Sequence, residues 1–404
     1  MKTLEALDPT LYWFVGVKIA AMIITDRKKL EEFCNTLKKG PFLSIDTEFL
    51  RDKTYYPQLC LIQMAAPGID AAAVDPLAEG MDLAPVFELL ADESVVKVFH
   101  AALEDLEIFY YLTGRIPHPI FDTQVAAMVC GYGNQIGYSN LVQGICGKKL
   151  DKGVQFTDWS RRPLSAKQIT YALDDVIFLR DIYLKLKEDM DRKGRATWVE
   201  QEMDILTAPK TYENHPEGAW QRIKARTDKP KVLAVLRELA AWRESEAQRR
   251  DIPRSWMIRD ETLVDMAVHA PRNEKDLCQI RNISQDMAKG RTGKALLEAV
   301  QRGLDTPKDL CPRAKRRERF PPELTPVLEM LKMLLRIQCA THGVAAKLVA
   351  SSDDLEMLVM DGAANIPAIK GWRYEVFGKE ARELMEGRIG LSLKNGKIAK
   401  SNIR

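Results

Sequence analysis

Acidic side chains stand at metal-site spacings in three places within the first half of this 404-residue chain. Asp46 and Glu48 lie two apart, directly behind the apolar run Phe42-Leu43-Ser44-Ile45. That run reads as a β-strand, so the two carboxylates project from one sheet face. Hard divalent cations take oxygen ligands and require such convergence. Glu104 and Asp105 follow a second apolar run, Val95 to Phe99, in a segment of helical periodicity that should begin at about His100. Spacing alone does not choose between these two acids. His100 itself reads as a hydrogen-bonded structural residue rather than a ligand. Tyr171, Asp174 and Asp175 fall on a long predicted helix opened by Ser165, a good N-cap. Asp175 is the i+4 neighbour of Tyr171 and Asp174 the i+3 neighbour, so both acids lie near the phenol. Four acids brought together would suit two divalent ions, whose chemistry is to acidify a bound water.

The elements that must carry these groups are legible as short apolar runs. Leu59 to Met64 and Ala71 to Val74 read as further strands, separated by turn residues at Tyr56-Pro57 and Pro67-Gly68. Helical segments surround Leu103–Leu112, Thr123–Cys130, Leu141–Ile145 and Ser165–Met190, with Asp122-Thr123 as a cap. Strands first, then helices around a mixed sheet, predict an α/β domain ending near residue 200. After Ala208-Pro209 the strand signals stop and the chain reads as helix through to Arg404. A weak repeat, with a period of about 90 residues, relates Leu239 to Leu263 to Leu334 to Leu355. Two related all-α domains are expected, at 227–306 and 322–400, joined by the basic segment Pro312 to Pro322.

Charge divides unevenly along the chain. Residues 1–200 carry 23 Lys+Arg against 28 Asp+Glu, and the remainder 37 against 29. An acidic half joined to a basic half suits a carboxylate site beside a surface that attracts a polyanion. Seven scattered cysteines with no C-x-x-C pair indicate neither a disulfide framework nor a zinc site, and point to a reducing cytoplasm. The apolar stretch Leu11 to Ile24 is interrupted by Lys18 and too short for a membrane span, so no membrane association is expected.

The ordered set of motifs is more specific than any member of it. Ile45-Asp46-Thr47-Glu48-Phe49, Tyr55-Tyr56-Pro57-Gln58-Leu59 with Leu61-Ile62-Gln63, His100-Ala101 to Glu104-Asp105-Leu106, Phe121-Asp122-Thr123-Gln124 and Tyr171 through Val176 together resemble the ribonuclease D family of DEDDy 3′-to-5′ exonucleases. The likeness covers about residues 22–200 within a 22–205 domain and implies a ribonuclease H-like mixed sheet flanked by helices. Both helical repeats resemble the HRDC domain shared by helicases and ribonuclease D, the second more diverged. Residues 1–21 have no counterpart in the family pattern and stand either as an upstream start assigned in error or as a real extension.

The resemblance implies a metal-dependent 3′-to-5′ exoribonuclease releasing nucleoside 5′-monophosphates. It selects Asp105 over Glu104 and Asp175 over Asp174. It assigns Asp46, Glu48, Asp105 and Asp175 to two Mg²⁺ or Mn²⁺ ions, and gives Tyr171 the positioning of the attacking water. Thr47, Gln58 and Gln63 are near-site candidates, Tyr55 and Tyr56 candidates to stack an unpaired base, and Arg249, Arg250, Arg254, Arg259 and Lys315 to Arg319 candidates for upstream phosphates. The expected partner is RNA, such as tRNA precursor 3′ ends or other structured RNA, with no obligate protein partner. A DNA-directed exonuclease and a catalytically silent RNA-binding scaffold are the competing readings.

Overall fold

The apolar run before Asp46 becomes β2 of a six-stranded mixed sheet in a computed structural model that describes residues 22–151, 153–313, 320–362 and 364–403. The extension 1–21 and the basic run Lys315 to Arg319 lie outside the described residues. The strands are β1 (Met22–Ile24), β2 (Phe42–Leu50), β3 (Gln58–Ala66), β4 (Ile69–Val74), β5 (Val96–Phe99) and β6 (Ile120–Asp122), in the order β1-β4-β3-β2-β5-β6. β2 pairs antiparallel with β3 and parallel with β5, so it lies inside the sheet with both faces covered. Leu43 and Ile45 are fully buried on one face, and Ser44, on the other, bonds the Val176 carbonyl of an overlying helix.

Strands and helices interleave rather than follow one another. The helices of this half are α1 (Arg27–Leu37), α2 (Ala84–Ala91), α3 (Leu103–Thr113), α4 (Thr123–Cys130), α5 (Tyr138–Cys146), α6 (Ala166–Lys193) and α7 (Ala196–Leu206). β1 and β6 carry only three residues each, too few for any alternation to register. α3 starts at Leu103, not His100, because Ala101 takes a left-handed conformation (φ 60°) that interrupts helical geometry. α6 opens as expected at Ser165, whose side chain and that of Gln168 form a reciprocal capping box.

Beyond Pro209 the chain is largely helical. α8 (Pro230–Arg250), α9 (Arg254–Met257), α10 (Asp260–His269), α11 (Glu274–Leu277), α12 (Gln285–Lys289) and α13 (Arg291–Asp305) enclose one apolar core. α14 (Thr325–His342), α15 (Ala346–Val349) and α16 (Ser352–Met360) open a second core with the same order: a long helix, a left-handed cap at Asp251 or Gly343, a four-residue helix and a mid-length helix. The expectation of helix to the C-terminus is corrected. Ile389–Lys394 and Lys397–Asn402 form an antiparallel hairpin, β7 and β8, turning at Asn395-Gly396. Asn-Gly tolerates the positive φ that a two-residue hairpin turn demands, and it was the overlooked signal.

The last region is fastened to the nuclease half. Trp198 of α7 stacks on Trp372 with centroids 4.4 Å apart. Arg195 donates to the carbonyls of Val129, His342 and Gly343. The Ala345 N–H bonds the Met128 carbonyl at 2.9 Å. Gly131 closes this seam: at φ +87°, an added Cβ would meet the Gly343 carbonyl oxygen at 2.5 Å. Gly131→Ala combines backbone strain with a clash between main chains. It is expected to lower stability by about 1–3 kcal/mol, seen as an earlier thermal transition; an unchanged unfolding profile would refute the tight seam.

Candidate active site

Asp46 and Glu48 reach the same side of β2, and α6 crosses that side carrying Tyr171 and Asp175. The tether is polar: the Ser44 hydroxyl lies 2.8 Å from the Val176 carbonyl, one residue beyond Asp175. Carboxylate oxygens of Asp46, Glu48 and Asp175 lie within 4.8 Å of one another. The charge of Asp175, one helical turn along α6, bears on the Tyr171 hydroxyl. Asp174 lies outside this group, and its carbonyl accepts the Tyr138 hydroxyl at 2.9 Å.

Asp105 comes from α3 and, like Asp174, lies outside the group of three converging carboxylates. It is buried and hydrogen-bonded by the Thr47 hydroxyl, between Asp46 and Glu48 in sequence, whereas Glu104 is exposed. Asp122 sets the approach. Its carboxylate accepts the N–H groups of Ala101 and Ala102 (3.1 and 2.9 Å) while capping α4 through Gln124 and Val125. One side chain thereby compensates the left-handed Ala101 and aims the first turn of α3. Sequence reading found the α4 cap but not this second duty, which depends on β5 and β6 being adjacent. His100 bonds the Thr123 hydroxyl at 3.0 Å, as a structural residue does.

Electrostatically the group is frustrated. Removal from water and the Asp175 charge push Asp46 well above the carboxylate range. Burial and the charges of Asp46, Asp175 and Asp105 push Glu48 to about 10. Burial and Asp174 push Asp175 to about 7. Burial and Asp46 raise Asp105, against the bond from Thr47. Tyr171 rises too, by burial and the charge of Asp175, and so keeps its proton. The leading charges on each acid, among the described residues, are other acids. An all-oxygen, anionic donor set whose members repel suits a hard divalent cation, which would relieve the repulsion.

Several other sequence candidates are placed elsewhere. Gln63 is fully buried under α6 and cannot meet a substrate. Thr47 is buried as the partner of Asp105 rather than facing a ligand. Tyr55 is not free to stack a base: its hydroxyl donates to Glu244 of α8 (2.5 Å) and accepts from Arg254 (2.8 Å), whose guanidinium covers the ring. Asp251, in the left-handed cap of α8, accepts the backbone N–H of Tyr55 and Tyr56 at 3.0 and 2.9 Å. Tyr56 already has one face stacked on Tyr111, centroids 3.8 Å apart. Arg249 and Arg250 are exposed and share Glu246. At the seam made by Tyr55 and Glu244 lies a cavity of about 670 Å³ whose wall includes Arg51, Arg222, Arg254 and Arg259.

The comparisons fit this architecture. A family profile described as 3′-5′ exonuclease matches residues 21–191, and one described as HRDC domain matches 232–300. Ribonuclease D of Nitrobacter hamburgensis is 48% identical over 379 residues, covering 94% of this chain and 98% of that protein. This chain belongs to the ribonuclease D family. Ribonuclease D of Sphingobium indicum is 46% identical, covering 93% of this chain and 97% of that protein. The crystal structure of Escherichia coli RNase D superposes with a TM-score of 0.77 at 31% identity, covering 91% of this chain and 98% of that one. The chain is therefore an enzyme of ribonuclease D type, with the mixed α/β exonuclease domain and helical C-terminal region of that family. Among the described residues, no helix is long and apolar enough to cross a membrane.

The repulsion within this ribonuclease D site has a measurable sign. Between pH 3.8 and about 7, Asp175 ionises in the unfolded chain but stays protonated when folded. The metal-free fold therefore loses stability as pH rises through that window. Asp175→Asn should melt at a higher temperature than the parent at about pH 8 and show no such gain at about pH 4. Equal melting temperatures at both pH values would show that Asp175 is not under strain.

Proposed function

We propose that the chain is a metal-dependent 3′-to-5′ exoribonuclease that removes nucleoside 5′-monophosphates one at a time from RNA 3′ ends. The observation that carries this reading is the convergence of Asp46, Glu48 and Asp175 with oxygens within 4.8 Å and no compensating cation among their leading charges. Asp46, Glu48, Asp105 and Asp175 would hold Mg²⁺ or Mn²⁺. When bound, two such ions acidify a water and offset the charge that builds on the phosphate and the leaving 3′-oxygen. Tyr171, held protonated against Asp175, acts by orienting the water rather than by taking its proton. The Thr47 hydroxyl holds the Asp105 carboxylate by a hydrogen bond.

RNA is the proposed substrate because the relatives are ribonucleases, and the E. coli neighbour is described as an exoribonuclease involved in structured RNA processing. The arginine-walled cavity at the Tyr55–Glu244 seam supports the same reading. Arg51 in its wall stands three residues beyond Glu48, just past the end of β2, where it is paired with Glu107. We assign the nuclease to 22–205, an HRDC domain to 227–306 and a diverged HRDC-like domain to 322–400, on the repeated order of helices. Processing of tRNA 3′ ends in the cytoplasm is the role we favour, and the seven free thiols are in keeping with a reducing compartment.

Asp46→Asn and Asp175→Asn should each reduce release of mononucleotides from 3′-hydroxyl RNA by orders of magnitude while the fold persists. Asp174→Asn should retain most activity, and its inactivity alone would reverse the choice between the adjacent acids. Matched DNA should be cut slowly; faster cutting of DNA overturns the substrate assignment.

Tyr171→Phe should lower kcat with little change in RNA affinity, since the ring still packs. A parallel loss of binding would assign the ring to substrate stacking instead. For the basic surface, Arg259→Ala should flatten the dependence of log affinity on log salt by about 0.7 per lost phosphate contact to single-stranded RNA. An unchanged slope would remove this cavity from the RNA path.

A further inference from the structure

Gln63 has no task in the chemistry just described, and its surroundings do not explain it. It is fully buried, and neither its Oε1 nor its Nε2 has a hydrogen-bond partner among the described residues. Along β3, across on β4 and in the covering layer from α6 its neighbours are apolar: Leu61 and Ala65, Ala73, and Ala172 and Val176. A primary amide with two unmet donors and an unmet acceptor in such a layer is destabilising, and an apolar side chain of similar volume would remove that loss. Buried unpaired polar groups of this kind call for a functional explanation.

The sheet register supplies one. Gln63 stands directly opposite Asp46 across the β2–β3 pair, so both side chains leave the same face with Cβ atoms about 5 Å apart. The Asp46 carboxylate carries two acceptor oxygens, more capacity than a single cation takes up. The Ser44 hydroxyl, the other polar group beside the pair, directs its proton at the Ala65 and Val176 carbonyls. An unpaired, fully buried donor therefore lies beside the partly buried carboxylate of Asp46. A carboxylate that ligates a cation through one oxygen must be held through the other, and the groups that do so are buried donors behind the ligand.

We propose that Gln63 is a positioning residue for the metal site, donating its Nε2–H to the Asp46 carboxylate when that carboxylate is drawn to a divalent ion. The inference rests on the metal-dependent reading above. It makes the unpaired amide a feature of the metal-free state, resolved on loading. Gln63 is then retained at the expense of stability, which a packing residue would not be.

Metal-free wild type, Gln63→Met, Gln63→Leu, Asp46→Asn and the Asp46→Asn/Gln63→Met double variant would each be titrated with Mn²⁺ by calorimetry. Thermal unfolding without metal and steady-state cleavage of a 3′-hydroxyl oligoribonucleotide complete the set. Gln63→Met and Gln63→Leu should bind Mn²⁺ about 10–100-fold more weakly and lose kcat at unchanged KM for RNA. Their metal-free melting temperatures should stay level or rise. In the Asp46→Asn background, Gln63→Met should cost no further Mn²⁺ affinity, because its effect passes through that carboxylate. Wild-type Mn²⁺ affinity in both Gln63 variants overturns the inference while leaving the metal site standing. Lower melting temperatures in both, or additive losses in the double variant, overturn it by making the amide a structural or independent group. No Mn²⁺ uptake by wild type, or full uptake by Asp46→Asn, overturns the metal reading itself and the inference with it.

Discussion

Mutual repulsion among carboxylates that packing forces together is the constraint to which the rest of the structure answers. Asp46, Glu48 and Asp175 come from a strand and a helix, and each would be more stable in water and further from the others. What holds them is the apolar layer between sheet and helix, in which Leu61, Ala65, Ala73, Ala172 and Val176 are buried, with Ser44 bridging to the Val176 carbonyl. Small side chains on both surfaces let α6 approach the sheet closely. Burial of that layer offsets the repulsion, and cation binding would recover it.

The same economy explains the supports around Asp105. A first-turn carboxylate on α3 can be aimed only by fixing where the helix starts, and the start lies in a strained residue, Ala101. Asp122 compensates that strain through two backbone N–H groups while also capping α4. Thr47 then reaches Asp105 from the strand that carries Asp46 and Glu48. Three elements distant in sequence are thus tied to one site by short polar side chains, each with few rotamers to freeze.

The two helical regions are attached differently, and the difference bears on function. The last region meets α4 and α7 through ring stacking, backbone hydrogen bonds and the close approach at Gly131, an interface of close main-chain approach. The HRDC domain meets the β2–β3 loop through a charged, hydrogen-bonded cluster in which Glu244, fully buried, receives Tyr55, Arg222 and Arg254. Buried charges of this kind add geometric definition more reliably than stability. Here they define a cavity wall that joins Arg51, three residues past Glu48, to Arg222, Arg254 and Arg259.

The chain's own pattern determined the central strand, the long helix with its Ser165 cap, the acidic and phenolic groups along them, and the division into an α/β half and a helical half. These follow from local rules: side chains alternate along a strand, recur along a helix, and caps satisfy the first turn's N–H groups. Family likeness was needed to prefer Asp105 and Asp175 over their neighbours, because adjacent acids differ in face and not in chemistry. Tertiary structure alone decided which near-site residues face solvent. Tyr55, Thr47 and Gln63 read as ligand contacts because their chemistry suits one, yet partners up to 199 residues away in the chain occupy or cover the loop and strands that carry them. Short strands such as β1 and β6 were invisible for a related reason, since three residues carry no period and only their neighbours in the sheet make them strands. The terminal hairpin was different: its Asn395-Gly396 turn was legible, but it lay within a stretch already assigned to helix by its surroundings.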